Sequence, residues 1–228
     1  MIKNVFIDLD NTILDFNKAE RNALAKTLSA LGYEPKNEIL DRYHDVNLSQ
    51  WKRLERGEIT RRDVKLNRYR ILFDEFGIDA KPEDATATYE DFLSQGHFFL
   101  DGAEELLKTL SQRYRLYLVS NGTFRVQEGR LQSAGITPLF DGVYVSEKVG
   151  AEKPSTQFFN NVFADIGDVD KAASVIIGDS LTSDMRGGIN AGIKTVWFNR
   201  LGEEPPADIK PDYEVKSLSE IPEILEKI

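Results

Sequence analysis

From Gly96 onward the chain alternates between two hydrophobic rhythms, and no other feature constrains its fold so tightly. GAEELLKTL, VQEGRLQSAG, STQFFNNVFADIG and TSDMRGGINAG carry helical spacing. Between and after them, RLYLVSNG, DGVYVSEKVG, ASVIIGDS and IKTVWFN read as strands that run into turns or loops. DYEVKS reads as an edge strand. SLSEIPEIL reads as a last helix, with Ser217 and Glu220 at capping-box spacing. Strands that alternate with helices build a parallel sheet covered on both faces. One further strand, residues 2–9, stands far upstream, and the stretch between is all helical in texture. Ala23, Leu24, Leu28 and Leu31 recur at helical spacing, as do Val64, Leu66, Tyr69, Ile71, Leu72, Phe73 and Phe76 before Gly77. The expected architecture is α/β: a Rossmann-like, doubly wound parallel sheet core formed by residues 1–16 and 96–228. An all-helical cap domain of four helices, residues 17–95, is inserted after the first strand.

Composition limits the partners. With 228 residues and 41% apolar content the chain can bury a sizeable core. A net charge of -9 argues against a nucleic-acid polymer, because phosphate backbones need a net basic face. It leaves a small anionic substrate open, since a bound cation reverses the local field. The absence of cysteine excludes disulfides, thiolate zinc sites and cysteine nucleophiles. No apolar stretch is long enough to cross a bilayer. A soluble cytoplasmic protein, monomer or homodimer, is the expectation.

In open parallel sheets ligands bind beyond the carboxyl ends of the strands. After the first strand come Asp8 and Asp10. After the second come Ser120, Asn121 and Gly122. Lys148 and Lys153 follow the third, and Asp179, Ser180, Thr182, Ser183 and Asp184 follow the fourth. Each alone has a plain structural reading: Asp8 and Asp10 as a solvated strand end, Ser120 as a turn residue, Lys153 as a surface charge, Asp179 as a helix cap, Asp184 as a first-turn acid. Their joint occurrence, in order, at one rim outweighs those readings. Asp8, Asp10 and Asp179 suit a hard cation such as Mg2+, which accepts few carboxylates and leaves room for phosphate oxygens. Lys153 would neutralise phosphoryl charge, and Ser120 with the Asn121 and Gly122 amides would donate to its oxygens. Asp8 would attack phosphorus to form an aspartyl-phosphate. Asp10, two positions on and on the same side of an extended segment, would pass a proton to the leaving alkoxide and take one from water. That role requires its neighbours to raise its pKa from the ordinary value of about 3.9.

DLDNT, VSNG, KP and GDSLTSD, in this order, resemble the four motifs of the haloacid-dehalogenase-type phosphatase superfamily, and the resemblance spans essentially the whole chain. It implies a Rossmann-like sheet with a helical cap, Asp8 as nucleophile, Asp10 as acid/base, Ser120 and Lys153 as phosphate contacts, and Asp179 and Asp184 as the fourth-motif acids. It implies Mg2+ held by the Asp8 side chain, the Asp10 carbonyl and Asp179, with Asp184 in support. SNGTFRVQEGRLQSAGI, GEITRRDV and GHFFLDGAEELL further resemble the bacterial pyrimidine 5'-nucleotidase branch, which implies a nucleoside 5'-monophosphate as substrate. A phosphatase or mutase acting on a sugar phosphate or phosphoglycolate is the alternative. A 2-haloacid dehalogenase would leave Asp10, Asp179 and Asp184 without work, and an idle binding module would be expected to lack Asp8, Asp10 or Lys153.

The cap would exclude water and read the leaving group. Trp51 is either a base-stacking ring or an anchor of the cap's own core, and Tyr43 and Phe16 carry the same two readings. Lys52, Arg53 and Arg56 would add positive charge beside Trp51. His44 and His97 read as surface or turn residues, and Arg61-Arg62 as a solvated helix face. Arg125 either reaches substrate or starts a helix.

Overall fold

Val5, Phe6 and Ile7 are fully buried in β1 (Asn4–Ile7), as a strand covered on both faces requires. In a computed structural model, which describes residues 1–228, this strand lies third in a six-stranded sheet. The other strands are β2 (Arg115–Ser120), β3 (Gly142–Val145), β4 (Ser174–Gly178), β5 (Lys194–Phe198) and β6 (Tyr213–Val215). All neighbours pair in parallel, in the order β3-β2-β1-β4-β5-β6. The sheet grows outward on one side through β2 and on the other through β4, so the order reverses at β1. Such a reversal opens a crevice beyond the strands' carboxyl ends.

Alternate residues feed opposite faces. Val5, Ile7, Leu116, Leu118, Val175 and Ile177 pack with α5 (Ala103–Ser111) and α10 (Ile221–Lys227). Phe6, Tyr117, Val119 and Ile176 pack on the other face with Phe158, Phe159 and Phe163 of α8 (Thr156–Ile166). Ser217 and Glu220 form the expected capping box ahead of α10. Two expectations differ in detail. The loop expected after β3 contains a four-residue helix, α7 (Ser146–Val149). TSDMRGGINAG is not a single regular helix: Leu181–Met185 forms a π-type turn and only then does α9 (Arg186–Ala191) begin. The wide turn lets both the Asp184 and Met185 amides donate to Ser180 O and turns Asp184 inward.

Between β1 and α5 the chain forms α1 (Phe16–Ala30), α2 (Asn37–Glu55), α3 (Arg61–Phe76) and α4 (Pro82–Leu93), with no strand among them. Asp15 caps α1, a Thr60–Asp63 capping box starts α3, and Gly77 ends it with φ 63°. Their inner faces share an apolar cluster that includes Leu24, Leu28, Tyr43, Leu72 and Tyr89. Val126 of α6 (Phe124–Ala134) joins that cluster from the sheet side, so the helical layer is seated directly over the crevice.

Candidate active site

A tight turn follows β1. Leu9 O accepts from the Ile13 and Leu14 amides at 3.0 and 2.9 Å, and Asn11 takes the left-handed conformation at φ 58°. Asparagine tolerates that region because its short side chain bonds locally, here accepting from the Phe16 amide at 3.1 Å. The turn leaves Asp8 and Asp10 at the mouth of the crevice, with Asp8 only 6% exposed.

Lys153 supplies the positive charge that a buried Asp8 needs. Its Nζ, 1% exposed, donates to Asp8 Oδ1 at 2.8 Å, to Asp184 Oδ1 at 2.6 Å and to Val119 O at 2.7 Å. The surface-charge reading of Lys153 is thereby excluded. The Asn121 side chain fixes the lysine's backbone: Oδ1 accepts from Lys153 N and Nδ2 donates to Lys153 O, both at 2.8 Å. Ser180 N donates to Asp184 Oδ2 at 3.1 Å, so Asp184 is held from both oxygens. Gly178 makes this approach possible, because a Cβ there would lie 2.3 Å from Asp184 Oδ2. Asp179 stands at the end of β4; Thr12 Oγ1 accepts from its amide at 3.1 Å and its carbonyl accepts from Trp197 Nε1 at 2.9 Å.

Asp8, Asp179 and Asp184 each bring a carboxylate oxygen within 4.8 Å of the others. Three carboxylates therefore cluster around one ammonium that bonds only two of them, Asp8 and Asp184. Burial pushes the Asp8 carboxyl up to about 7, with Lys153 opposing and Asp184 and Asp10 adding to the shift. Burial, then Asp8 and Asp184, raise Asp179 well above the ordinary carboxylate range. Burial works against the Lys153 ammonium, yet Asp184 and Asp8 more than offset it and its pKa rises. The excess negative charge matches a divalent cation with hard oxygen ligands.

Asp10 is held by a different set of partners. Arg130 Nη1 donates to Asp10 Oδ1, and Gln127 Nε2 donates to Asp10 Oδ2 at 2.6 Å and to Ser120 Oγ at 2.8 Å. Arg130, fully buried, also donates from Nε to Gly96 O at 2.9 Å, where the chain returns from the helical layer. Gln127 and Arg130 lie one turn apart on α6 and were absent from the sequence-based site. Ser120 Oγ accepts from the Gly122 amide at 3.2 Å. A Cβ at Gly122 would lie 2.5 Å from Gln127 Nε2, so only glycine admits this packing.

These groups line a cavity of about 220 Å3 between sheet and helices, the scale of a small molecule. Asp8, Asp10, Ser120, Asn121, Gly122, Lys153, Asp179 and Asp184 all reach it. Lys148 does not; it is exposed, with Nζ 3.8 Å from the centre of the Phe124 ring. From the helical side Trp51 and Phe16 line the cavity, whereas Tyr43 is buried in the helices' own cluster, its hydroxyl donating to Tyr69 Oη at 3.1 Å.

Three expectations for this side are corrected. Arg61 is not on a solvated face: it crosses to the sheet domain and donates to Gly122 O (2.8 Å), Ser146 Oγ (2.6 Å) and Glu152 (3.0 Å), while Arg62 is exposed. Lys52, Arg53 and Arg56 add no charge to the cavity: none lines it, and Arg53 and Arg56 are paired with Glu58. His44 is more than a surface residue, since it lines the cavity with Nδ1 2.6 Å from Glu20 Oε2. Of the two readings of Arg125 the helix start holds: it lies in the first turn of α6, exposed, paired with Asp91 of α4 and outside the cavity lining. His97 is exposed, as expected.

Comparison with known proteins agrees with this geometry. Residues 5–198 match the family model described as haloacid dehalogenase-like hydrolase. The chain is 36% identical to the HAD-hydrolase YfnB of Bacillus subtilis, over 98% of this chain and 95% of that one. The crystal structure of YfnB bound to magnesium superposes with a TM-score of 0.94, covering 98% of each chain. Pyrimidine 5'-nucleotidase PynA of Streptococcus pneumoniae is 36% identical over 99% of this chain and 95% of its own. Pyrimidine 5'-nucleotidase YjjG of Escherichia coli is 27% identical over 97% and 96%. By the extent of the family match and the acid–lysine cluster at the strand ends, this chain belongs to the haloacid dehalogenase-like hydrolase family.

Proposed function

We propose that the protein is a Mg2+-dependent phosphatase of small phosphate monoesters, with a nucleoside 5'-monophosphate as substrate and an aspartyl-phosphate intermediate. One observation carries the reading: Lys153 Nζ bridges Asp8 and Asp184 inside an acid cluster that opens into the cavity between sheet and helices. The pyrimidine 5'-nucleotidases PynA and YjjG, similar over nearly the whole chain, support the nucleotide.

Asp8, Asp179 and Asp184 are the side chains that would hold Mg2+, and their hard oxygens fit it; the family resemblance adds the Asp10 carbonyl. Bound there, the ion neutralises the carboxylates and the phosphoryl oxygens and so lets two anions meet. An Asp8 carboxylate oxygen attacks phosphorus and the bond to the leaving oxygen breaks. Asp10 supplies the proton that the departing alkoxide takes up. Water then attacks phosphorus, Asp10 accepts its proton, and the bond to Asp8 breaks with release of phosphate. Lys153 holds Asp8 in line, and Ser120 with the Asn121 and Gly122 amides receives the phosphoryl oxygens. Each Asp10 oxygen accepts one hydrogen bond, from Arg130 or Gln127, which orients the carboxyl and leaves a lone pair on each for the proton. Residues 17–95 act as the cap domain over the core of residues 1–16 and 96–228; Arg61 and the Thr182–Glu55 hydrogen bond at 3.0 Å draw the two together.

A phosphate-release screen over nucleoside monophosphates, sugar phosphates and phosphoglycolate, with Mg2+ and with EDTA, tests the reading. Expected is release from pyrimidine nucleoside monophosphates at least about tenfold faster than from the others, abolished by chelation. Release indifferent to EDTA would overturn it. Asp10→Asn gives a second result. General acid–base loss lowers kcat by about 10^2- to 10^4-fold on a nucleotide, whose alkoxide leaves poorly. On p-nitrophenyl phosphate, whose leaving group needs no proton, the loss is smaller. Equal losses on both would remove Asp10 from proton transfer.

A further inference from the structure

The wall of the cavity formed by the helical insert carries two buried donors that phosphoryl transfer does not use. Arg68 of α3 is 4% exposed and Tyr89 of α4 is fully buried, and both line the cavity. Arg68 Nη1 donates to Asn47 Oδ1 at 3.1 Å, but its Nε is buried with no acceptor. The Tyr89 hydroxyl is likewise buried without a partner. Nearby carboxylates are committed elsewhere: Glu20 accepts from Asn47 Nδ2 and faces His44 Nδ1, each at 2.6 Å, and Glu90 pairs with Lys65 at 2.9 Å. Around Arg68 lie tyrosine rings instead, with its guanidinium carbon 4.7 Å from the Tyr89 centroid and 5.2 Å from that of Tyr69.

A guanidinium withdrawn from water with one N–H left without an acceptor, beside a hydroxyl with no partner, is expensive to keep. Native interiors leave such groups unpaired where something else completes them. A guanidinium offers donors and no acceptor, so the completing group must be an electron-rich oxygen or a bare ring nitrogen and not an amino group. The surroundings are flat and aromatic, with Trp51 and Phe16 lining the same cavity. We propose that Arg68 Nε and Tyr89 Oη form the subsite that reads the leaving group, holding a carbonyl oxygen of its heterocyclic ring. The inference rests on the phosphatase reading and assigns its specificity to two named donors.

The subsite is tested by the ratio of kcat/KM on uridine 5'-monophosphate to that on phenyl phosphate, a ring ester with no acceptor oxygen. Tyr89→Phe removes one hydroxyl and keeps the ring in the helices' cluster; Arg68→Met removes the charge. Each variant lowers the ratio at least about tenfold, because a site built to donate loses most when the donor is gone. Calorimetry with uridine, which lacks the phosphate, gives weak binding to the wild type and none to Tyr89→Phe. A Tyr89→Phe protein that melts like the wild type and keeps the ratio overturns the subsite, since a purely structural tyrosine affects both esters alike. A ratio that falls only for phosphoglycolate over phenyl phosphate also overturns it, because the donors then read a carboxylate. Mg2+-dependent hydrolysis of phenyl phosphate without uridine binding sinks the subsite alone. No hydrolysis of either ester sinks the phosphatase reading with it.

Discussion

Asp8→Asn lowers kcat on every phosphate ester by at least about ten-thousandfold, the scale on which enzymes lose turnover when a covalent nucleophile is removed. The amide oxygen keeps the shape of the carboxylate and can still accept from Lys153, but it is a poor nucleophile toward phosphorus. The same change makes the metal-free fold more stable at pH 8. Asp8 has a folded pKa of about 7 against an ordinary 3.8, raised by burial and by Asp184 and Asp10 against the pull of Lys153. A carboxyl raised on folding binds more protons in the native state than in the unfolded one, so its contribution falls as pH climbs from about 4 to about 7 and stays lost above. Asparagine carries no such penalty. The gain is on the order of 1–4 kcal/mol, or about 2–4 °C in Tm for each kcal/mol in a chain of this size. Melting curves at pH 5 and pH 8 without metal check the sign: the gap between variant and wild type opens with rising pH, and Mg2+ narrows it by binding the wild-type acids. Retained turnover in Asp8→Asn would falsify the covalent route.

The parts of the site legible in the sequence are those that follow a strand directly. Asp8, Ser120 and Asp179 stand one residue past, or at the end of, apolar runs whose strand character is plain, and parallel pairing brings such ends to one rim. Lys153 lies eight residues beyond β3, so motif order located it, and the double hydrogen bond from Asn121 explains how a loop lysine is brought in. Neither the helical period of α6 nor the likeness of its segment assigns a role to Gln127 or Arg130. Their signal was there: with Val126 and Leu131 they occupy the buried face, where apolar residues belong. Arg68 repeats the lesson, since it falls on the buried stripe of Val64 and Leu72, four residues from each. A charge on an apolar stripe marks a demand from outside the helix. Arg61 gave no such signal, because it sits in the first turn of α3 and its partners, Gly122, Ser146 and Glu152, are set by how the helices lie on the sheet.

Lys153→Met destabilises the metal-free protein by about 3–5 kcal/mol, the usual result of removing one partner from a buried ionic cluster. Methionine fills the space of the lysine stem, so the loss is electrostatic and not a cavity. Nζ is the only cation bonded to Asp8 and Asp184, at 2.8 and 2.6 Å, and without it three carboxylates face one another in a site nearly closed to water. The direction with pH separates this from ordinary packing damage. As pH falls toward 5 the raised acids Asp8 and Asp179 take up protons, their mutual repulsion fades, and the deficit against wild type shrinks. Packing damage would persist at every pH. Mg2+ acts in the same sense at pH 8, restoring stability to the variant by more than it adds to the wild type, because it replaces the missing charge among the same oxygens. Turnover does not return with stability, since Lys153 also holds Asp8 toward phosphorus, and kcat stays depressed in the metal-saturated variant. Denaturant melts at pH 5 and pH 8, with and without Mg2+, measure all of this. A Lys153→Met protein as stable as wild type at pH 8 without metal would mean that the acids are not charged together there, and the reason for a divalent ion at this rim would go with them.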